Sequence, residues 1–579
     1  MDAIFGKGNI SKREYEIKPE RNISLPMSDG VNVNINVFRP DNKGKFPALV
    51  GMSPFNLDFQ QERVWPSAAR SMRIRGTPVT NIEAGPTEFF VRRGYVHVIG
   101  AVRGTGRSEG TYRYMDPREN QDTYELIEWA AKQPWCDGNV GMMGIAYFAC
   151  QMPGVAALQP PHLKCIAPMF AFWDEYRYSW WSGGIFSSGF GRWLGSLANL
   201  DIHTEDIVLR EELGEEGFKE VIGLALEDKD ICGDPGLVDA LKHPDAPGNS
   251  AVLDMLLHPT WCKYWEDRAI IDFDKIKVPA YLGAAAHRPG ALYHWSDLKV
   301  PKKVVLGPPA YVDRPYYQYS WEMLRWYDYW LKGIDTGIMD EPAVKIFIPG
   351  SSEWLMAEDF PIPDTRFIPL NLHYNNRMLC EIEPWPDTLS CSYPDTPDER
   401  GFLKYSSAPM VENTEMAGPI ALNLYASSRG TDMNFFIALY DADPEGEETR
   451  LTEGWLKASH RELDTNRSKQ WHPVHTHTNP QPVVPGQVYE FNIALFPTAN
   501  LFKAGHRIVL KITSSDEQPK TQFQEGMYHL ISQTPNTITI YHNAQYPSHL
   551  LLPITRGNIV GTYVSGGDIS LEKGFMKVS

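Results

Sequence analysis

Three side chains near the middle of the chain have the means to move protons: His287, Tyr311 and Asp313. Imidazole titrates close to neutrality, a phenol can donate to a developing oxyanion, and a carboxylate can accept a proton. They lie on two loops that each follow a strand-like run, and Arg288 stands beside the first of them as a candidate substrate contact. A fourth feature is the string Gly141-Met142-Met143-Gly144-Ile145-Ala146-Tyr147-Phe148-Ala149. In a Gly-x-Ser-x-Gly turn the serine occupies a strained bend between strand and helix. Its hydroxyl then stands clear of the sheet, and the next backbone N–H points at an oxyanion. Here the position holds Ala146, which has no heteroatom to attack with, while the N–H of Tyr147 is kept.

Weaker signals are set aside. His475 and His477 could pair on one strand face as metal ligands, yet no third ligand is evident, so the sequence reads as a surface loop with no metal. Asp441, Asp443, Glu445, Glu447 and Glu448 read as a solvated acidic turn. The Gly-x-Gly within 103–110 lacks dinucleotide spacing, so no cofactor is expected. The aromatic residues Tyr176, Trp180 and Trp181 either line a cavity for an aromatic, hydrophobic small molecule or simply pack a core.

The elements that would position these groups follow from local pattern. Strand-like runs occupy 31–38, 48–52, 95–100 and 140–143, and the last is followed by the Gly-Ile-Ala turn and a small-residue helix from 150 to 158. Asp116 before Pro117, with Glu119 three positions on, predicts a helix start with a capping box. That helix should turn Tyr124, Leu126, Ile127, Trp129 and Ala130 inward and stop before Pro134. The sheet pattern resumes at 278–282 and 303–306 and closes with a helix over 321–331, ended by Gly333. Beyond about 345, short alternating strands between turn residues predict a β-sandwich. The expected division is an α/β sheet domain over 1–171 and 272–345, a helical cap over 172–271 and a β-sandwich domain over 346–579.

Composition excludes several classes. With 579 residues and 42% hydrophobic content the chain exceeds a single core. A net charge of -17 repels a phosphate backbone, so no nucleic acid is expected as partner. No signal core and no run of about 18 apolar residues is present, which predicts a cytoplasmic protein with no membrane partner. The seven scattered cysteines read as free thiols. Composition leaves a homodimer open.

Five strings carry a resemblance. They are Val102-Arg103-Gly104-Thr105-Gly106-Arg107-Ser108-Glu109-Gly110, Trp135-Cys136-Asp137-Gly138-Asn139-Val140-Gly141 and Trp326-Tyr327-Asp328-Tyr329-Trp330-Leu331-Lys332-Gly333. To these are added Glu453-Gly454-Trp455-Leu456-Lys457-Ala458-Ser459-His460-Arg461 and the stretch from Tyr541-His542 to His549-Leu550-Leu551-Leu552-Pro553. With them the chain resembles the cocaine esterase / NonD family, relatives of the X-Pro dipeptidyl peptidases. The resemblance implies an α/β-hydrolase domain interrupted by a helical cap and followed by a jelly-roll-like domain. It also implies ester or amide hydrolysis by a Ser-His-Asp triad, aided by an oxyanion tyrosine.

Carried over by position, the resemblance puts Ala146 at the nucleophile, Phe55 at the oxyanion tyrosine, His287 at or beside the acid and Tyr311 at the histidine. Ala101 stands where an aspartate usually precedes the Val-Arg-Gly string. The expectation is therefore a site turned to non-covalent acid–base chemistry of lyase, isomerase or cyclase type, suited to secondary metabolism. Two alternatives stay open. One is a serine hydrolase in which alanine was put in place of the nucleophile, with His287 and Asp313 exchanging triad loops. The other is a non-catalytic small-molecule binding protein.

Overall fold

The computed structural model describes residues 9–55, 57, 83–189, 202–270, 272–285, 290–307, 319–516 and 528–559. The apolar runs pair into a ten-stranded sheet. Its strands are β1 (Ile17–Pro26), β2 (Asn32–Pro40), β3 (Phe46–Ser53), β4 (Val96–Ala101), β5 (Cys136–Ile145) and β6 (Leu163–Met169). A hairpin of two short strands, β7 (Trp181–Ser182) and β8 (Ile185–Phe186), lies apart from it. The sheet resumes with β9 (Ala280–Ala285), β10 (Lys302–Gly307), β11 (Val344–Ile348) and β12 (Glu353–Ala357). The spatial order is β1-β2-β4-β3-β5-β6-β9-β10-β11-β12. All pairs from β4/β3 to β10/β11 are parallel, and only the flanking pairs β1/β2, β2/β4 and β11/β12 are antiparallel. The sheet thus continues past position 345, to Ala357.

Parallel strands need crossovers, which place helices on both faces and bury both. Every residue of β3 and β4 is buried. Leu49 and Val50, neighbours in β3, belong to different apolar clusters, one on each side of the sheet. After α1 (Thr87–Val91), two helices, α2 (Pro117–Ala131) and α3 (Tyr147–Ala157), contribute Leu126, Ile127, Met152 and Val155 to the first cluster.

Asp116 caps α2 as expected, accepting from the Arg118 N–H at 2.8 Å. Glu119 does not complete the capping box. Its side chain turns into the core, where Tyr147 and Gln151 offer buried donors that the exposed helix end cannot match. Tyr124 and Trp129 are only half-buried, and Thr123 takes the inward place with Leu126, Ile127 and Ala130.

Between β6 and β9 the chain forms the cap. It opens with a π-helical turn, Tyr176–Trp180, and the β7/β8 hairpin. The short helices α4 (Val208–Ala225), α5 (Lys229–Cys232), α6 (Pro235–Lys242), α7 (Asn249–Leu256) and α8 (Lys263–Glu266) follow. The last helix, α9 (Ser320–Lys332), packs Met323, Leu324, Trp326 and Tyr327 on the second face of the sheet and ends at Gly333 with φ 65°.

From Arg366 to Arg556 the chain builds one seven-stranded and one four-stranded sheet, with every pairing antiparallel. Their inner faces share a core that includes Leu370, Leu422, Leu439, Phe491, Ile512 and Leu552, so this part is a β-sandwich. No helix among the described residues is long and apolar enough to cross a membrane.

Candidate active site

Strand β5 lies in the middle of the parallel stretch, and its C-terminal end is where such sheets place their chemistry. Ala146 follows it directly and serves as the N-cap residue of α3 with φ 55° and ψ -118°. A residue with a Cβ avoids this conformation, at a cost of about 1–3 kcal/mol. The turn is held by flanking packing. Ile145 N–H donates to the Glu83 carbonyl at 2.8 Å, and Ala146 N–H donates to the Met169 carbonyl at 3.2 Å. Gly144 has φ 152°, and a Cβ on it would stand 2.2 Å from the Phe148 Cβ. The chain thus keeps the strained elbow of a nucleophile while placing only a methyl group on it. Because the strained position holds only a methyl group, Ala146→Gly is expected to raise unfolding stability by about 1 kcal/mol, strain relief exceeding the added unfolded-state entropy. A urea midpoint lower than that of the parent would contradict the strain.

Tyr147 is the first helical residue, so its N–H has no intrahelical acceptor and faces the position beyond the elbow. Its ring is buried and meets Phe55 edge-on, with centroids 6.3 Å apart. Phe55 is 6% exposed and carries no donor. The Tyr147 hydroxyl donates to Glu119, 3.0 Å from either oxygen, and accepts from Met115 N–H at 3.1 Å. Burial drives the Glu119 carboxyl well above the usual range, against the opposing hydrogen bond from Tyr147.

A second buried carboxyl lies on the cap side. Glu175, at the start of the π-helical turn, accepts from the Tyr114 hydroxyl at 2.9 Å. The Tyr114 ring stands edge-on to both Tyr147 and Trp180, with centroids 5.6 Å away in each case. Burial pushes the Glu175 carboxyl up to about 7, against the opposing pull of the Tyr114 hydrogen bond.

Of the residues expected at the site, Ala146, Tyr147 and Phe55 meet at the elbow. His287, Arg288, Tyr311 and Asp313 lie outside the described residues. The aromatic cap residues are packed into the cap. Tyr176 and Trp180 are fully buried and Trp181 is 9% exposed. Tyr176 donates to the Pro259 carbonyl and Trp181 Nε1 to the Met255 carbonyl, each at 2.8 Å. Their polar atoms are used in holding the cap together, and of the three only Trp180 packs against a residue, Tyr114, that reaches the elbow.

His475 and His477 do not lie on a surface loop. They are 7% and 3% exposed, and the structure brings His460 to them, its Nδ1 3.0 Å from that of His477. Among the described residues no group of three or more ligands has the arrangement of a metal site. Glu119 and Glu175 were missed by the sequence reading. For Glu175 the visible signal was a pair of acidic residues inside an aromatic run, Phe172-Trp173-Asp174-Glu175-Tyr176, whereas Glu119 lies in the polar run over 116–122 and carries no such signal.

This strand order defines an α/β-hydrolase, with an elbow after the central strand, a cap inserted between β6 and β9 and a β-sandwich beyond the sheet. The model of the X-Pro dipeptidyl-peptidase (S15) family matches residues 29–312, and that of the X-Pro dipeptidyl-peptidase C-terminal non-catalytic domain matches residues 336–551. The cocaine esterase of Rhodococcus sp. is 26% identical over 603 residues, covering 92% of this chain and 98% of that protein. The crystal structure of a CocE/NonD family hydrolase from Staphylococcus aureus superposes with a TM-score of 0.78 at 24% identity, over 93% of this chain and 94% of that one. An α-amino acid ester hydrolase gives a TM-score of 0.72 at 18% identity, over 95% and 99% of the two chains. The solved structures establish the fold, and the relatives by name are hydrolytic enzymes.

Proposed function

We propose that this protein is an enzyme that uses the hydrolase pocket for non-covalent acid–base chemistry of lyase, isomerase or cyclase type on an aromatic or hydrophobic small molecule. The observation that carries this is Ala146 on an intact elbow: the backbone geometry of the nucleophile is present without a heteroatom to form an acyl-enzyme. Phe55 points the same way, since a phenyl ring cannot donate to a tetrahedral oxyanion. What remains around the elbow is suited to moving protons. The Tyr147 N–H is oriented, and two buried carboxyls, Glu119 and Glu175, are both shifted toward neutrality. The rings of Phe55, Tyr114, Tyr147 and Trp180, packed edge-on beside the elbow, make its surroundings apolar, which supports an apolar ligand.

The test has two arms. The protein is expected to give no burst with p-nitrophenyl acetate and no covalent label with a fluorophosphonate. It is also expected to accelerate the base-promoted ring opening of 5-nitrobenzisoxazole over buffer. Fluorophosphonate labelling at the elbow would overturn the non-covalent reading, and absence of ring opening would remove the acid–base assignment.

A further inference from the structure

Glu175 is 3% exposed and accepts from the Tyr114 hydroxyl at 2.9 Å, the Ser179 hydroxyl and Cys150 thiol stand beside it, and Oε1 is buried outside any hydrogen bond of good geometry. Buried carboxyl oxygens are almost always well paired, so one placed like this asks for a reason. Its location supplies one. Cys150, a neighbour of the carboxyl, lies one turn beyond Ala146 on α3, its N–H bonded to the Ala146 carbonyl at 2.9 Å. Side chains four apart on a helix stack on one face and lean toward the N-terminus, so the Cys150 side chain leans toward the elbow. On the other side Tyr114 reaches Tyr147, the residue that follows Ala146. The chain here adopts a π-helical turn, Tyr176–Trp180, a conformation that recurs at functional sites, and the buried Ser179 hydroxyl on it faces the Glu175 carboxyl.

We propose that Glu175 is the general base and proton store of the site at the elbow, with Tyr114 as its positioning residue. The inference rests on the acid–base reading of the site and names the group that performs it. The titratable and charged neighbours are Tyr114 from the segment before α2, Cys150 from α3, and Asp174 on its own element. Asp174 is paired with Arg177 at 2.6 Å, and Glu83 acts on Cys150. With its carboxyl raised to about 7 by burial, Glu175 is divided between acid and base at neutral pH, which suits proton exchange in both directions.

With 5-nitrobenzisoxazole as probe the step balances without a co-reactant. The Glu175 carboxylate takes the C3 proton, the C–H electron pair becomes the third bond of the nitrile, and the N–O bond breaks to leave a phenolate. The proton then passes from Glu175 to water.

In the full chain, the rate is expected to rise with pH through a midpoint near 7. Glu175→Gln should lower it at least tenfold and abolish that limb while circular dichroism stays unchanged. Tyr114→Phe removes a hydrogen bond that favours the charged form, so the limb should persist with its midpoint moved to higher pH. If Glu175→Gln leaves rate and pH profile as in the parent, the assignment of Glu175 is overturned while the acid–base reading stands. If the parent itself gives no ring opening, that reading fails and Glu175 fails with it. If Glu175→Gln does not fold, the Tyr114→Phe midpoint decides, and an unmoved midpoint counts against the proposal.

Discussion

Replacing Glu322 by alanine is expected to destabilise the hydrolase domain by about 3–5 kcal/mol, the range for removing one partner of a buried ionic network. Glu322 is fully buried, and its Oε1 accepts from Lys345 Nζ at 2.6 Å and from the Tyr281 hydroxyl at 2.8 Å. Its Oε2 accepts from Arg325 at 3.1 Å. Lys345 and Arg325 are 1% and 3% exposed, and both also reach Glu341, which is closer to solvent. The network therefore ties β9, β11 and α9 together beneath the sheet. Without Glu322 two buried cations share one half-exposed carboxylate, and Tyr281 loses its acceptor. Glu341 offsets part of the loss, which puts the effect near the lower end. Glu322→Gln, which keeps an acceptor of the same shape, should cost less than the alanine. Urea denaturation followed by tryptophan fluorescence reads both. A shift under about 1 kcal/mol at unchanged slope would mean that the network relaxes instead of standing uncompensated.

Acid should unfold the protein through its buried histidines. Burial holds His97 and His475 at about 3 and His542 at about 4, each starting from 6.5. His460 is likewise held at about 3, and the imidazoles of His472 and His477 are pushed in the same direction. Their folded values are depressed, so their contribution is complete above pH 6.5. It is lost as pH falls from 6.5 toward 3, because the unfolded chain binds protons that the folded one refuses. At pH 5 each histidine held at about 3 costs about 2 kcal/mol, from one and a half pH units at 1.36 kcal/mol each.

Two carboxyls act with the opposite sign. Glu175 at about 7 and Asp254 at about 6 are raised, so their neutral forms are favoured and acidification relieves them. Between pH 7 and 5 they return about 2 and about 1 kcal/mol, respectively. Glu119 adds to that side. The four histidines held at about 3 to about 4 each lose about 2 kcal/mol by pH 5, which outweighs what Glu175 and Asp254 return and falls within the whole stability of a typical domain. The thermal midpoint is therefore expected to be highest near pH 7 and to fall steeply below 6. A midpoint that rises between pH 6 and 5 would show that the carboxyls dominate. In His97→Gln, a variant without one of these groups, the acid limb should be shallower.

Much of the fold was written locally. The strand-like runs at 48–52, 95–100 and 140–143 became β3, β4 and β5, and the helix start at Asp116 and the stop at Gly333 fell where capping chemistry puts them. These features are legible because they depend on neighbours within a few positions. The capping box at Glu119 failed for the complementary reason. A local rule placed the carboxylate at the exposed helix end, and a phenol 28 positions away in sequence drew it into the core. The histidines at 475 and 477 were misjudged as a surface loop because nothing in Pro473-Val474-His475-Thr476-His477 signals that the cap closes over them. Trp261 N–H donates to the His477 carbonyl at 3.0 Å, and Arg177 donates to that of His475.

The alanine at 146, in contrast, needed no structure to be seen. One residue in one string puts a methyl group at the turn between β5 and α3. The sequence likewise determined the three textures of sheet domain, cap and β-sandwich, because period and turn chemistry are properties of short segments. What only the tertiary structure decided is which groups surround that alanine and in which charge state. Tyr114 meets Glu175 across 61 positions and Tyr95 meets Asp328 across 233, pairings set by strand order and by the packing of the cap. Burial, which exists only once those elements are assembled, then turns an ordinary glutamate into one that titrates near neutrality.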